Sequence, residues 1–278
     1  MTFTWDPDKT DTPEPISPGG WVLVVLRGLA LVGVLLLGVL IKSLVRLVER
    51  PIFGARRPAS PWITVTVCKA AFLILGIRHR REGQPMRERG ALVANHSSWL
   101  DIFSLNAAKT VYFVSKSEVA NWPGIGLLAR ITGTVFIARN PAHAAEQKKV
   151  FEERLLAGHK LLFFPEGTST DGWRVLPFKS TLFAAFFTRE LREVLHVQAV
   201  TVIYTAPDGA SARIYGWWGD MDFAPHLLKT LSLWRQGEVL LRYHPPVKVA
   251  DFADRKALAR HLEIQVRGGM PPERRLAR

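Results

Sequence analysis

Cysteine is the residue type that this sequence has least of. Its 278 residues include one cysteine, Cys68. A lone cysteine excludes an internal disulfide and offers no thiolate cluster to a metal ion. Because Cys68 lies in an apolar stretch, we expect a small buried side chain there, and we predict neither redox chemistry nor a metal site.

Negative charge is also scarce. Lys and Arg number 37 against 24 Asp and Glu, which gives a formal net charge of +13. Residues 1–20 nevertheless form an acidic tail, so the positive excess lies downstream; the tail has one lysine, Lys9, against Asp6, Asp8, Asp11 and Glu14. A basic surface suits nucleic acid, anionic lipid headgroups or phosphorylated carriers, and composition alone does not choose among them.

One long apolar run, Trp21 to Ile41, has a single charge at Arg27. A helix of that length would span about 30 Å, the thickness of a bilayer core, with Arg27 snorkelling toward the headgroups. An acidic leader argues against a cleaved signal peptide, and a buried core helix, the other alternative, would be unusually apolar on every side. Two alternatives remain, a helix that spans the membrane and a helix that enters one leaflet.

Basic residues follow this run at Lys42, Arg46, Arg50, Arg56 and Arg57. By the positive-inside tendency, the C-terminal side of the run faces the cytoplasm, which predicts a cell-membrane protein with a cytoplasmic catalytic domain.

A second apolar stretch, Trp62 to Ile77, contains Lys69 and is short for a membrane span. We expect a helix that lies at the membrane interface or packs on the catalytic domain. The prolines between the two stretches predict a broken helix pair; they are Pro51, Pro58 and Pro61.

Beyond residue 78 the sequence alternates short apolar runs with longer helical ones, without an internal repeat. This pattern predicts an α/β fold with a mostly parallel central sheet flanked by helices. The predicted strands are Ala91–Ala94, Val111–Val114, Thr134–Ile137, Lys160–Phe164, Val197–Tyr204 and Val239–Tyr243. The predicted helices are Ala142–Leu156, Ser180–Leu195 and Asp251–Val266, the last ended by Gly268, Gly269, Pro271 and Pro272.

The predicted organisation is therefore an acidic tail over 1–20, membrane-anchoring helices over 21–77 and a catalytic domain over 78–250. A C-terminal amphipathic helix and a basic tail occupy 251–278.

His96 and Asp101 stand out because they follow the apolar strand Ala91–Ala94 directly. In open α/β sheets, ligands bind at the carboxyl ends of strands. If Ser97 or Ser98 caps the next helix, Asp101 falls in its first turns and its carboxylate can reach the imidazole. That pair would make a general base; the alternative is a capping histidine beside a helix-terminal aspartate.

A second apolar strand runs into the turn Pro165-Glu166-Gly167-Thr168-Ser169-Thr170. A turn with a carboxylate, a glycine and three hydroxyls can aim N–H groups and hydroxyls at an anionic oxygen. The alternative is an ordinary turn.

Together these segments resemble the glycerolipid and lysophospholipid acyltransferase family, which is marked by a His-x4-Asp block and a Phe-Pro-Glu-Gly-Thr block. Here the blocks are His96–Asp101 and Phe164–Thr168, and the resemblance covers roughly residues 78–250. The family's intermediate block is similar to a stretch that includes Lys116, Glu118, Pro123 and Gly133–Arg139. Both core blocks in this order are specific to the family.

The resemblance implies a mechanism for acyl transfer. His96, oriented by Asp101, would take the proton from the acceptor hydroxyl, which attacks the thioester of acyl-CoA or acyl carrier protein. Neither a covalent enzyme intermediate nor a cofactor is implied. The acceptor would bind at Glu166, Gly167, Thr168, Ser169 and Lys116, and Arg139 would hold its phosphate.

The sequence departs from the family pattern after Glu-Gly-Thr, where Ser169 replaces a common arginine and Lys179 is left to supply positive charge. Around this point it resembles bacterial lyso-ornithine lipid acyltransferases, whose acceptor has no phosphate. Another departure is Ala199, near the position of a family proline. We expect acylation of 1-acylglycerol-3-phosphate to phosphatidate, with lyso-ornithine lipid or another lysophospholipid as the alternative acceptor.

Two other classes of function are alternatives. A nucleic-acid-binding protein would show aromatic residues interleaved with Lys and Arg, or a basic recognition helix, and the sequence has neither. A non-catalytic lipid-binding protein tethered to the membrane would not need both His96 and Asp101.

Overall fold

The computed structural model describes residues 15–54, 56–122, 124–137 and 144–275, with the side chains of 144–148 left out. The described helices are α1 (Pro18–Phe53), α2 (Ser60–Leu75), α3 (Leu100–Ala108), α4 (Ile125–Thr132), α5 (Ala144–Leu156), α6 (Arg189–Arg192), α7 (Phe223–Ser232), α8 (Arg255–Gly269) and α9 (Pro272–Arg275). The strands are β1 (Arg78–Glu82), β2 (Gly90–Ala94), β3 (Tyr112–Lys116), β4 (Val135–Ile137), β5 (Leu161–Phe163), β6 (His196–Thr205), β7 (Glu238–Tyr243) and β8 (Val247–Lys248).

The strands form one sheet in the order β1-β7-β6-β2-β5-β3-β4, with β8 beside β6. Strand β6 runs antiparallel to β7 and to β8, and the other neighbours are parallel. The predicted α/β fold with a mostly parallel sheet is confirmed.

Strand β2 lies in the middle of this sheet and is buried along its whole length. Its side chains alternate between two cores: Leu92 packs with α2 and α3 on one face, and Val93 packs with α5 and α8 on the other. Because helices cover both faces, the strand that carries His96 at its end is fixed from both sides.

Helix α1 has 36 residues, about 54 Å, and is longer than the predicted run from Trp21 to Ile41. Within the described residues it is the helix long and apolar enough to cross a membrane, and side chains such as Leu29 and Leu47 are exposed. Pro51, expected to break the chain, lies inside the last turn of α1, and the helix ends before Gly54. The exposed apolar surface agrees with a membrane anchor.

Arg27, which the sequence predicted to extend toward the headgroups, contacts the end of another helix in the structure. Its Nη1 donates to the carbonyl oxygens of Leu231 and Leu233 at 2.8 and 2.6 Å, at the C-terminal end of α7. A helix C-terminus carries partial negative charge and unpaired carbonyls, so a guanidinium is a fitting partner. This contact joins the anchor helix to the α/β domain.

Helix α2 packs against α1 and α3, with Cys68 and Phe72 buried and Trp62 and Leu73 exposed. The expected packing of this stretch on the α/β domain is confirmed by its contacts with α3, and its placement at a membrane interface stays a prediction. Its N-terminus is capped by Glu49 of α1, whose Oε1 accepts the N–H groups of Ala59 and Ser60.

Two predicted helices differ in the structure. The stretch Ser180–Leu195 is a 3₁₀ helix over Ser180–Phe187 followed by the short α6. The C-terminal helix begins at Arg255, where Asp254 caps it, and continues through Gly268 and Gly269. The expected glycine stop was wrong, because Met270 ends the helix with an extended backbone.

Candidate active site

Asn95 directs the chain out of β2 toward the site. Its Nδ2 donates to the carbonyl of Val202 at 2.9 Å, and its Oδ1 accepts the N–H of Val202 at 2.8 Å. The buried amide thus continues the hydrogen bonding between β2 and β6 for one more residue. The next residue, His96, therefore leaves the sheet from a fixed position.

His96 and Asp101 are in contact, as their spacing predicted. Nδ1 of His96 lies 2.8 Å from Oδ2 of Asp101, which is fully buried in the first turn of α3. The same oxygen accepts the N–H groups of Ser97 and Ser98 at 2.7 and 3.0 Å. Neither serine is the N-cap of α3, which is Trp99. Since a carboxylate only accepts, Nδ1 carries the proton and Nε2 is left with the lone pair.

The imidazole of His96 is held by a second contact on its ring face. It stacks on Phe164, with centroids 4.0 Å apart and planes 10° apart, and 18% of the side chain is exposed. Tyr204 is enclosed beside Asp101, and burial, followed by the Asp101 charge, raises the pKa of Tyr204 well above its usual value. Its hydroxyl stays protonated next to the carboxylate.

Glu166 meets His96 because of how β2 and β5 pair. Ala91 lies opposite Leu161 and Val93 opposite Phe163, an offset of 70 positions that also separates His96 from Glu166. The N–H of His96 donates to Oε1 at 2.7 Å, and the N–H of Leu176 donates to Oε2 at 2.7 Å.

Glu166 was expected to contact the acceptor, but the structure encloses it, with 1% of its surface exposed. Burial raises the pKa of Glu166 to about 8, while the N–H donors from Leu176 and His96 oppose that shift. Both carboxyl oxygens of Glu166 accept backbone N–H groups. Glu166 therefore connects its own block, Phe164–Thr168, to the block His96–Asp101.

Thr170 holds the other side of the His96 backbone. Its N–H and Oγ1 donate to the carbonyl of His96 at 2.9 and 3.2 Å. Sequence reasoning treated Thr170 as one of three turn hydroxyls and gave it no separate role. The turn after β5 therefore binds both the backbone N–H and the backbone carbonyl of His96.

The remaining predicted binding residues lie at the same edge of the sheet. Gly167, Thr168 and Ser169 are half-buried, and Gly167 has φ of +75°, a region that favours glycine. A Cβ at Gly167 would lie 2.6 Å from Nζ of Lys179, so that ammonium sits over the turn. Lys116 is half-buried at the carboxyl end of β3, beside β5.

Two other predictions, Arg139 and Pro123, lie outside the described residues. The binding roles proposed for Arg139, Lys116 and the turn after β5 stay predictions.

A polar network that sequence reasoning missed borders the His96 turn. Buried Asp171 accepts the N–H of Trp173 at 3.0 Å and forms ion pairs with Arg174 and Arg213 at 3.5 and 3.4 Å. From the loop that carries Arg213, the N–H of Trp217 donates to the carbonyl of Ser97 at 2.8 Å. The feature of the sequence that indicated this network was Asp171, an acidic residue directly after the hydroxyl-rich turn.

The sequence is also similar to those of known proteins. A model of the acyltransferase family matches residues 77–204. A lyso-ornithine lipid O-acyltransferase of Rhodobacter capsulatus is 53% identical over 266 residues, which covers 96% of each chain. A 1-acyl-sn-glycerol-3-phosphate acyltransferase of Neisseria gonorrhoeae is 42% identical over 101 residues, covering 36% of this chain and 40% of the other.

Among solved structures, the 1-acyl-sn-glycerophosphate acyltransferase PlsC from Thermotoga maritima has a TM-score of 0.56 at 21% identity. The match covers 87% of this chain and 95% of that one. At this identity the likeness concerns the fold.

Proposed function

The chain belongs to the acyltransferase family and is an enzyme that transfers acyl groups to a lysolipid; we propose that its acceptor is lyso-ornithine lipid. The observation that carries this choice is the 53% identity with a lyso-ornithine lipid O-acyltransferase over 96% of both chains. Ser169, in place of the family's common arginine, agrees with an acceptor that lacks a phosphate. The reaction is the acylation of the hydroxyl on the amide-linked acyl chain.

His96 is the general base of this reaction. Its Nδ1–H is held by Asp101, so Nε2 accepts the proton of the acceptor hydroxyl as the oxygen attacks the thioester carbonyl. A carbon–oxygen bond forms and the carbon–sulfur bond breaks. The imidazolium, stabilised by the Asp101 carboxylate, then returns its proton to the departing thiolate.

The proposed acyl donor is acyl-CoA or acyl carrier protein, without a further cofactor. Both are polyanions. Lys116 and Lys179 lie at the carboxyl edge beside His96, where cations would attract either donor.

The proposed location is the cell membrane, with the catalytic domain on the cytoplasmic side. The exposed apolar side chains of α1 would contact lipid, and the basic residues at its C-terminal end favour the cytoplasm. A protease-protection test on a tag at residue 1 distinguishes a spanning α1 from one that enters a single leaflet.

Lysophosphatidate is the second candidate acceptor. The supporting observation is the 42% identity with a 1-acyl-sn-glycerol-3-phosphate acyltransferase over 101 residues. Lysophosphatidate would use the same base and donor and would differ in the contacts to its phosphate.

The test is an acyl-transfer assay on purified protein in detergent, with labelled acyl-CoA or acyl carrier protein and both acceptors. We expect kcat/KM for lyso-ornithine lipid to exceed that for lysophosphatidate, and the H96A variant to transfer to neither. A preference for lysophosphatidate would reject the proposed acceptor and leave the acyl transfer intact.

A further inference from the structure

Two chain segments contact the turn that holds His96, and a cleft lies between these two segments. Thr170 bonds to the carbonyl of His96, and Trp217 bonds to the carbonyl of Ser97. The cleft between these segments has a volume of about 210 Å³, and it is lined by Trp173, Ser211, Ala212 and Arg213. Both segments that line the cleft are thus connected to the turn of His96 by backbone hydrogen bonds.

The walls of this cleft are held in place by hydrogen bonds. Nε1 of the Trp173 indole donates to the carbonyl of Ala212 at 3.3 Å, which joins one segment to the other. The guanidinium of Arg274 lies 4.8 Å from the centre of the Trp173 ring and also donates to the carbonyl of Tyr204 at 3.0 Å. These contacts hold the Trp173 indole against the segment that carries Arg213.

Arg213 brings positive charge to the cleft. Its Nε faces Oδ2 of Asp171 at 3.4 Å, while 36% of its side chain is exposed. Asp171 is 1% exposed and also pairs with Arg174, so two guanidinium groups flank one buried carboxylate. A guanidinium has five N–H donors, and a carboxylate or phosphate can bind two of them in parallel.

We propose that this cleft binds the anionic group of the acceptor headgroup, with Arg213 as its ionic partner and Trp173 as its apolar wall. This inference rests on the proposed function, in which the anionic group is the carboxylate of lyso-ornithine lipid. A short chain of bonds through the amide separates that carboxylate from the reacting hydroxyl. With the hydroxyl at His96, the headgroup lies beside the turn that the two segments contact.

The same proposal accounts for the missing arginine at Ser169. In the proposed arrangement Arg213, which pairs with Asp171, supplies from a different loop the cation that other family members carry directly after Glu-Gly-Thr. The cleft then recognises the headgroup, and the turn after β5 is left to hold the His96 backbone.

The test compares R213Q, R213K and a control, R260Q, which alters an exposed arginine of α8. Acceptors are lyso-ornithine lipid, lysophosphatidate and the same hydroxyacyl amide on 1,4-diaminobutane, which lacks the carboxylate. R213Q should raise KM for lyso-ornithine lipid about tenfold, as expected for the loss of a charged hydrogen bond, and change kcat less than about twofold. KM for the decarboxylated amide should not change, and R213K should lie between R213Q and wild type.

A second variant, A212W, fills the cleft without removing the Asp171–Arg213 pair and should also raise KM for lyso-ornithine lipid. If R213Q does not fold, A212W tests whether the cleft binds the headgroup. An equal rise in KM for the decarboxylated amide would give Arg213 a structural role and overturn the proposal, as would an unchanged KM for every acceptor.

The same assay separates the two possible acceptors. If the wild type acylates only lysophosphatidate, the proposed function fails. A higher KM for lysophosphatidate in R213Q would then identify the cleft as a phosphate site, and an unchanged KM would overturn the cleft as well.

Discussion

The carboxyl group of Glu166 accepts the backbone N–H of His96 at 2.7 Å, with 1% of Glu166 exposed. One signature block of the sequence thus positions the other through the main chain. The effect of a change at Glu166 should therefore appear in how His96 is placed.

Removal of the proposed base should strongly lower turnover. In H96A the acceptor hydroxyl has no proton acceptor, and kcat should fall about 10²- to 10⁴-fold, the usual worth of general base catalysis. D101N should lower kcat within the same range, because an amide does not hold the Nδ1–H tautomer as a carboxylate does. Steady-state assays with lyso-ornithine lipid measure both.

The control for these variants is H261A, at a histidine of α8 that packs on Phe252. It should keep the wild-type kcat. Wild-type turnover by a folded H96A protein would exclude His96 as the base.

E166Q should affect both stability and turnover. A glutamine has one carbonyl oxygen, so either His96 or Leu176 loses an acceptor for its N–H. We expect a loss of about 1–3 kcal/mol in the free energy of unfolding and a kcat lower by about 10- to 100-fold. KM should change little, since the side chain is enclosed. A large rise in KM with unchanged kcat would instead indicate direct contact with the acceptor.

The pH dependence of stability should also depend on Glu166. Its pKa is raised to about 8 by burial from an ordinary value of 4.5, so the folded state favours the protonated form. That contribution is complete below pH 4.5 and is lost as the pH rises through about 8. The stability of the wild type relative to E166Q should therefore decrease between pH 5 and pH 9 in denaturation experiments.

A suitable control is E190Q, which removes a carboxylate from the surface. It should leave the pH dependence of the wild type in place. If the stability of the wild type relative to E166Q instead increases as the pH rises, the two N–H donors outweigh burial in setting the pKa of Glu166. The prediction would then be wrong.

G90A should disrupt the start of the strand that carries His96. Gly90 has φ of +147°, and a Cβ there would lie 1.7 Å from the carbonyl oxygen of His196. Strain and overlap together should cost about 3 kcal/mol or more, measured by thermal or chemical unfolding. G28A in α1 is the matched control, because a Cβ there meets no atom within 4 Å. Equal melting of the two variants would contradict the tight pairing of β2 with β6.

R27L should weaken the connection between α1 and the α/β domain. The carbonyls of Leu231 and Leu233 lose their donor, so the free energy of unfolding should fall by about 1–3 kcal/mol. Sedimentation with membranes after an alkaline wash should not change, because the substitution makes α1 more apolar. K69L, on exposed Lys69 of α2, should leave the melting temperature unchanged. Release of R27L from membranes would show that Arg27 acts in lipid binding.

The sequence predicted those parts of the structure that depend on local patterns. The strand ends before His96 and Phe164 follow from apolar runs, and Asp101 reaches His96 within one turn of helix. Strand β1 was missed because Arg78–Glu82 has no apolar alternation. Among the described strands it lies at the edge of the sheet beside β7, where charged side chains meet solvent. Strand β8 has two residues, too few to show a period.

Other features depend on contacts between distant segments. Ser180–Phe187 has the composition of a helix, but its packing against α5 and α8 produces a 3₁₀ form that sequence periodicity does not distinguish. The burial of Glu166 follows from strand register, and the Asp171–Arg213 pair joins two loops without a shared motif. The contact of Arg27 with the end of α7 had no local signal because its partners lie more than 200 positions away.

The pairing of β2 with β5 has a consequence for how this protein family can vary. The placement of His96 against Glu166 is set by hydrogen bonds between two adjacent strands and is indifferent to the length of chain that joins them. Insertions or deletions in the connections between β3 and α5 can therefore change what surrounds the reaction centre, provided that β3 keeps its pairing with β5. The fold fixes His96 and Glu166 directly after two paired strands and leaves those connections open to evolutionary exchange.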